Sequence, residues 1–167
     1  MGRLERLKLQ QTNRPIDCLS HWVREDALYL DPPYQRGEVW GLKRKTNFVY
    51  SVLIGVPIPS LIVNDRMGAN WPDDYRMAVI DGKQRITTLL GFLSGTFSVP
   101  GEWFGDEREE ARFPELSIVS QRVFKNIPIP VSEGRLPTLE DEEEVFRLVN
   151  FGGLRQGETD LNEEGEG

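Results

Sequence analysis

The segment from Asp81 to Arg85 (Asp-Gly-Lys-Gln-Arg) groups a carboxylate, two cations and an amide at one point of the chain. It follows the apolar run 77–80 and precedes an amphipathic stretch, which predicts a strand, a glycine turn and the start of a helix. The first turn of a helix presents free backbone N–H groups and the positive end of the helix dipole, an arrangement that binds phosphate. Lys83 and Arg85 add charge-assisted donors, and Asp81 is a candidate partner for a hydroxyl group or for Mg²⁺.

The helix after this turn is predicted from the spacing of its apolar residues. Ile86, Leu89, Leu90 and Leu93 recur at intervals that place them on one helical face. Asp-Gly is also the commonest hairpin signal, but a hairpin needs a second alternating strand, and residues 86–93 do not alternate. The residues alone therefore leave two interpretations open: a phosphate or nucleic-acid contact, and a turn that is only structural.

A second group of polar and aromatic side chains lies in the segment 31–40, Asp-Pro-Pro-Tyr-Gln-Arg-Gly-Glu-Val-Trp. Two prolines and a glycine exclude regular structure, so the sequence predicts a loop. Its composition favours a contact role; the alternative is a solvated loop whose aromatic rings pack back onto the core. The helix that follows opens with Lys43-Arg44-Lys45, three cations that oppose the helix dipole. We interpret them as a solvated surface, with an anion site as the alternative.

The remaining elements must hold these two segments in place. Periodicity and terminating glycines or prolines predict helices over 42–54, 117–125 and 139–149, a short helix ending near residue 26, and strands over 28–30, 57–63, 75–80 and 127–131. Two of the strands, 57–63 and 75–80, are expected to pair antiparallel. The prolines of 127–131 predict an edge strand, because proline cannot donate to a neighbouring strand.

The chain of 167 residues is long enough for one domain. We expect residues 1–15 to form a flexible arm, residues 16–160 the domain, and residues 161–167 a disordered acidic tail. No apolar run reaches the length of about 18 residues that a membrane span requires, so no membrane contact is expected. The single cysteine, Cys18, excludes an intrachain disulfide and a cysteine-based zinc site. We therefore expect a cytoplasmic protein.

The formal net charge of −7 argues against a general nucleic-acid-binding surface, whose affinity comes largely from phosphate neutralisation. Residues 1–105 carry 13 Lys/Arg and 11 Asp/Glu, whereas residues 106–167 carry 7 and 16. Part of this acidity is the run 140–144, which lies at the start of a predicted helix and complements its dipole. The acidic C-terminal half is also a candidate surface for a protein partner.

Three segments, in this order and spacing, resemble the motifs of a known protein family. They are residues 33–40 with the following helix and Gly-Val-Pro-Ile-Pro at 55–59, residues 80–89, and Glu-Val-Phe-Arg-Leu-Val-Asn-Phe-Gly-Gly at 144–153. Over residues 15–160 the chain resembles the ParB/sulfiredoxin-like family marked by a DGQQR signature. That domain forms the N-terminal part of GmrSD-type modification-dependent restriction enzymes and of related phage-defence proteins. The resemblance implies an α+β fold, with one ParB-like domain built from a small mixed sheet and flanking helices.

The resemblance also implies that the DGQQR loop binds a nucleoside triphosphate (NTP), or nucleic-acid phosphate, and that NTP hydrolysis is linked to sensing or cutting foreign DNA. The matching candidate nucleotide-binding residues are Gln35, Arg36, Gly82, Lys83, Gln84, Arg85, Thr88 and Asn150. Asp81 and Arg85 are the candidate catalytic residues, and Asp81 is the candidate Mg²⁺ ligand. Lys83 departs from the usual glutamine of the signature and adds a charge that favours phosphate. The run Leu-Arg-Gln-Gly at 154–157 also departs from the family's small-Pro-Leu run.

The chain has one histidine, His21, which precedes every motif, so we expect no HNH-type nuclease site within it. Three functions stay open. The first is an NTP-binding domain, with hydrolysis as a further step. The second is a non-catalytic module, such as a regulator or inhibitor, that binds DNA or a protein. The third is a small metal-dependent, ParB-like DNA nuclease or nickase.

Overall fold

The computed structural model describes residues 6–35, 39–68 and 70–152. Within them the helices are α1 (Ile16–Arg24), α2 (Leu42–Ile54), α3 (Lys83–Leu93), α4 (Ile118–Lys125) and α5 (Leu139–Phe151). The strands are β1 (Gln10–Pro15), β2 (Leu28–Tyr29), β3 (Leu61–Asp65), β4 (Met77–Asp81), β5 (Val99–Pro100), β6 (Glu110–Ala111) and β7 (Pro128–Gly134). The predicted α+β domain, with a small mixed sheet and flanking helices, is confirmed. None of the helices in the described ranges is both long and apolar enough to cross a bilayer.

In the described ranges, five strands form one mixed sheet in the order β1-β7-β3-β4-β2, and β5 and β6 form a separate two-stranded ribbon. Strands β1 and β7 pair antiparallel, β7 and β3 parallel, β3 and β4 antiparallel, and β4 and β2 parallel. The antiparallel pairing of β3 with β4 confirms the prediction. This pairing brings the end of β4, and therefore the turn at Asp81, beside the start of β3.

The sheet separates a large apolar cluster from a small one. The large cluster includes Val63 and Val79 of the sheet together with buried residues of α1 to α4. The small cluster includes Ile80 of the sheet and Val145 of α5. Alternate residues of a strand point to opposite faces, which explains why neighbours 79 and 80 fall in different clusters. Helix α5 therefore covers one face of the sheet, and the four other helices contribute to the core on the opposite face.

Helix α3 is held firmly at its far end. Phe92 is fully buried, and its ring lies within 5.1 to 6.0 Å of four other rings, those of Phe97, Phe104, Phe113 and Phe124. The helix begins directly after the Asp81-Gly82 turn, so the hairpin interpretation of Asp-Gly is wrong. The strand-turn-helix prediction is confirmed, and the aromatic cluster anchors the end of the helix that lies away from the turn.

Two predictions about the sheet edge are wrong. The segment expected to be a flexible arm contains β1, which pairs with β7 along its whole length. Strand β7 is therefore an interior strand, although its prolines predicted an edge. The physical reason lies in the register: Pro128 and Pro130 precede Val131, the first residue that pairs with β3, so the prolines lie where β7 has only β1 as a neighbour.

Most of the other element boundaries differ from the predicted ones by a few residues. The segment 57–60 stays outside the sheet, so β3 starts at Leu61 and not at the predicted residue 57. Helix α2 has its predicted bounds and ends at Gly55, whose φ of 79° is the left-handed conformation that favours glycine. The predicted tail over 161–167 and the last residues of the predicted domain, 153–160, lie outside the described residues.

Candidate functional site

A groove of about 680 Å³ lies at the N-terminus of α3. Its lining residues come from the loop before α2, from α2, from the segment leading to β3, from the Asp81 turn and from the end of α5. They are Gln35, Trp40, Arg44, Asn47, Phe48, Ser51, Val56, Pro57, Ile58, Pro59, Asp81, Gly82, Lys83, Gln84, Arg85, Phe146, Val149 and Asn150. The structure thus brings seven of the predicted site residues together from three distant parts of the chain.

The turn that forms one wall of the groove requires glycine at position 82. Gly82 has a φ of 103°, and a Cβ atom built there would lie 2.2 Å from the Cδ2 atom of fully buried Leu61. A register shift between β3 and β4 precedes the turn: Ile62 pairs with Asp81 and Val63 with Val79, which leaves Ile80 as an extra residue on β4. Such a bulge redirects the strand that follows it. The bulge and the glycine together turn the chain from β4 into α3.

The first turn of α3 has backbone donors without acceptors. Its N-cap residue is Gly82, which has no side chain to accept a hydrogen bond, and among the described residues no other side chain caps the helix. In the described part of the chain, no acceptor receives the backbone N–H groups of Lys83, Gln84 and Arg85. These N–H groups and the helix dipole form a site of positive potential that suits an anion.

Arg85 and Asp81 are ion-paired with each other. The Nη2 atom of Arg85 donates to Oδ2 of Asp81 at 2.8 Å, and Nη1 donates to the backbone carbonyl of Pro59. The Arg85 side chain is 11% exposed. Burial lowers the pKa of Arg85, and the charge and hydrogen bond of Asp81 act in the opposite direction. The pair therefore joins the end of β4 to the segment before β3 and holds both residues at the edge of the groove.

Each of the other predicted residues in the groove also has a protein partner. Lys83 forms an ion pair with Asp31, which is largely exposed. The Oε1 atom of Gln84 accepts from the backbone N–H of Trp40 at 3.3 Å. The Nδ2 atom of Asn150 donates to the carbonyl of Phe146 in its own helix. The contacts of Lys83 and Gln84 connect the turn to the loop before α2.

Gln35 completes the edge of β4. Its Nε2 atom donates to the carbonyl oxygens of Val79 and Ile80, at 2.9 and 2.8 Å. Strand β2 pairs with β4 only as far as Tyr29 and Ala78, so these carbonyls lie beyond the end of the neighbouring strand. Gln35 therefore takes the place of a missing strand residue, and this contact holds the 31–40 loop against the Asp81 turn.

Thr88 is a predicted site residue that is not among the residues lining the groove. Thr88 is 1% exposed and lies on the buried face of α3, where its hydroxyl oxygen has no hydrogen-bond partner in the described chain. Arg36 lies outside the described residues. The contact role of the loop that carries Arg36 stays a prediction.

The metal prediction depends on Asp81. Among residues 6–35, 39–68 and 70–152, no group of three or more His, Cys, Asp or Glu side chains could hold a metal ion. Mg²⁺ is commonly bound by one or two carboxylates together with the phosphates of a substrate, and Asp81 meets that minimum. A metal ion at this position would need a phosphate ligand as well as Asp81.

Sequence reasoning missed a buried polar network next to the groove. Glu142 belongs to the acidic run that we assigned to the helix dipole, yet it is fully buried. Its carboxylate accepts from Asn64, from two nitrogens of Arg66 and from the hydroxyl of Tyr34, at 2.8 to 3.0 Å. Arg66 also donates twice to Asp73 at 2.8 Å. This network ties α5 to the sheet and to the loop that carries Gln35.

The pKa values of the network follow from its burial and its charges. Burial alone would lower the pKa of Arg66, but the hydrogen bonds and charges of Glu142 and Asp73 raise it overall. Burial and the nearby Glu142 charge raise the pKa of Tyr34.

The sequence contained one signal that Glu142 is buried, which is its position on the helix. Residue 142 lies three positions before Val145 and therefore shares its buried face.

Sequence reasoning also did not anticipate how Arg44 is held. Its guanidinium carbon lies 4.5 Å from the centre of the Trp40 ring, which in turn meets Phe48 edge-on at 5.5 Å. Both Trp40 and Arg44 line the groove. Arg44 is therefore part of the groove wall, and it is also exposed, in agreement with the solvated surface to which we assigned it.

Comparison with known proteins agrees with the resemblance noted from the sequence. Residues 19–148 match the family model described as GmrSD restriction endonuclease, N-terminal domain. No curated protein sequence matches the chain. The matched range contains the groove residues from Gln35 to Phe146, the whole of the Asp81 turn and the buried network around Glu142. The chain belongs to the family of GmrSD restriction endonuclease N-terminal domains, which associates it with restriction systems and phage defence.

Proposed function

We propose that the groove at the start of α3 binds the phosphate groups of a nucleoside triphosphate. The observation that carries this proposal is the set of three backbone N–H groups, at Lys83, Gln84 and Arg85, without acceptors in the described chain. Phosphate oxygens are the ligands that such helix termini bind best. The groove volume of about 680 Å³ lies within the usual range for small-molecule and cofactor sites.

The side chains around these N–H groups support the same proposal. Lys83 pairs with Asp31, whose side chain is 71% exposed, so a bound phosphate can replace this weak surface partner at little cost. Arg85 keeps its contact with Asp81, which lies at the groove where it can hold Mg²⁺ that is also bound by the phosphates. Binding then needs no rearrangement of the buried chain.

Hydrolysis of the nucleotide is a separate step of the proposal. Phosphoryl transfer depends mainly on positioning and on stabilisation of negative charge, which N–H groups, Lys83, Arg85 and a metal on Asp81 would supply. Phosphate release in the presence of Mg²⁺ measures this step directly. Turnover that persists in Asp81→Asn would show that Asp81 is not needed for it.

The binding proposal is tested by thermal unfolding with each of the four common NTPs and Mg²⁺. A ligand at 100 times its dissociation constant adds about 2.7 kcal/mol to the free energy of unfolding. For a chain of this length that raises Tm by about 5–11 °C. Lys83→Gln should reduce the shift, because the substitution removes one phosphate-binding cation while leaving the buried chain unchanged.

Lys43→Gln is the matched control. Lys43 is an exposed cation at the start of α2 that does not line the groove, so its loss changes net charge equally without removing a ligand contact. The proposal is wrong if no NTP raises the Tm of the natural protein. It is also wrong if the Lys83 and Lys43 variants respond alike.

Family membership favours a second candidate ligand, the backbone phosphates of DNA, because the matching family is a restriction-endonuclease domain. The same N–H groups and Lys83 would contact it. Binding should then weaken with salt, and Lys83→Gln should reduce the slope of log affinity against log salt concentration by about one. A slope unchanged by Lys83→Gln would exclude DNA from this turn.

A further inference from the structure

Arg44 is held over the groove by an aromatic platform. Its guanidinium stacks on the Trp40 ring at 4.5 Å, and the edge-on contact of Trp40 with Phe48 anchors that ring to the core. The backbone N–H of Trp40 donates to Gln84 in the first turn of α3. The aromatic platform, formed by Trp40 and Phe48, is therefore connected directly to the turn before α3, where the backbone N–H groups have no acceptor in the described chain.

Arg44 also differs from the other two described cations of the groove in its charge partners. Lys83 is paired with Asp31, and Arg85 with Asp81. Within the part of the chain that the structure describes, Arg44 has no carboxylate within ion-pair distance. An arginine that already stacks on an aromatic ring loses little side-chain freedom when it binds phosphate, and its planar fork suits two phosphate oxygens.

The positive charges in the first turn of α2 also favour a phosphate ligand. The first turn of this helix contains basic residues and no acidic residue, and its N-cap is Gly41, which provides no side-chain acceptor. Cations at a helix N-terminus oppose the dipole, an unfavourable arrangement that a bound anion relieves. Of the three basic residues at 43–45, for which an anion site was the alternative interpretation, Arg44 is the one that lines the groove.

We propose that Arg44, stacked on Trp40, is a phosphate-binding residue that contacts the part of a bound triphosphate farthest from the first turn of α3. This inference rests on the proposed function, since it concerns the same groove and the same ligand class. It assigns to α2 a direct role in ligand binding. Trp40 acts as a positioning residue, because it holds the guanidinium and does not itself carry charge.

The test is isothermal titration of Arg44→Gln, with Mg²⁺ and each NTP, and separately with inorganic tripolyphosphate. Loss of a charge-assisted contact should weaken affinity for both ligand types by about tenfold or more. Lys43→Gln, which removes an equal charge from the neighbouring position, should weaken affinity by no more than about twofold, because Lys43 is exposed, does not line the groove and is screened by water and salt. Circular dichroism checks that each variant is folded.

A double-mutant cycle tests the role of the platform. Trp40→Leu should weaken affinity when Arg44 is present and have little further effect in Arg44→Gln, because the ring acts through the guanidinium. Independent, additive effects of the two substitutions would overturn the positioning role. Equal affinities of Arg44→Gln and Lys43→Gln would overturn the phosphate contact while leaving the proposed function intact.

The ligand comparison separates the remaining outcomes. A loss of NTP affinity without a loss of tripolyphosphate affinity would overturn the phosphate assignment, because Arg44 would then contact the base or the sugar. An absence of NTP and tripolyphosphate binding by the natural protein would overturn the proposed function and this inference together. The inference is supported if Arg44→Gln lowers the affinity for both NTP and tripolyphosphate and Lys43→Gln does not.

Discussion

Replacing Glu142 by glutamine should destabilise the protein strongly, although the two side chains have the same shape. One carboxylate oxygen of Glu142 accepts from Asn64 and from Nε of Arg66; the other accepts from Tyr34 and from Nη2 of Arg66. An amide NH₂ placed at either oxygen position therefore faces a donor of Arg66. Rotating the amide does not remove the conflict: one nitrogen of Arg66 always loses its acceptor, and Asp73 is the one carboxylate left in contact with buried Arg66 in the described network.

The magnitude follows from the burial of the pair. The side chains of Arg66 and Glu142 are both 0% exposed, so solvent does not screen their interaction. Removing one partner of a buried ion pair typically destabilises a protein by about 3–5 kcal/mol. Arg66 keeps its ion pair with Asp73, so we expect a loss toward the lower end of that range. For a chain of this length, such a change lowers Tm by about 6–20 °C.

Urea unfolding at pH 7, followed by circular dichroism, measures this change in the free energy of unfolding. Glu143→Gln provides a matched control: it changes the next residue of the same helix, which is exposed, and should alter the free energy by less than about 0.5 kcal/mol. The reasoning is refuted if the two variants differ in stability by less than about 1 kcal/mol.

Two further substitutions test the turn and the helix that follows it. Gly82→Ala should destabilise the protein by about 2–5 kcal/mol in the same unfolding assay, because it combines a left-handed φ with a clash against Leu61; a loss below about 0.5 kcal/mol would contradict the described turn. Thr88→Val should raise the free energy of unfolding by about 1 kcal/mol, because it removes a buried hydroxyl without a partner. It should leave NTP affinity, measured by titration, unchanged; a clear loss of affinity would restore Thr88 as a ligand contact.

Local patterns predicted much of the fold. The spacing of Ile86, Leu89 and Leu93 predicted α3, and Gly55 predicted the end of α2, because periodicity and helix termination depend on neighbouring residues. The strand-turn-helix geometry at Asp81 was likewise predictable. It requires only that an apolar strand turn through a glycine into a helix, and these residues are consecutive.

The sheet order was not predictable from the same information. Strand β7 carries prolines, which locally indicate an edge, and β1 is polar, which locally indicates a free arm. Their pairing joins residues more than 110 positions apart, as in Arg14 with Ile129. Such register is decided by the packing of the whole sheet, and a single sequence contains no direct signal for it.

The sequence by itself determined the identity of the groove's chemical groups: a glycine turn, two cations and a carboxylate within five residues, and the motifs that carry the family resemblance. Only the tertiary structure decided what each group contacts. It paired Arg85 with Asp81, buried Glu142 against Arg66, and placed Arg44 on Trp40 at the groove. The physical reason is that a side chain's partners and its access to solvent depend on residues distant in the chain, whereas its type and local conformation do not.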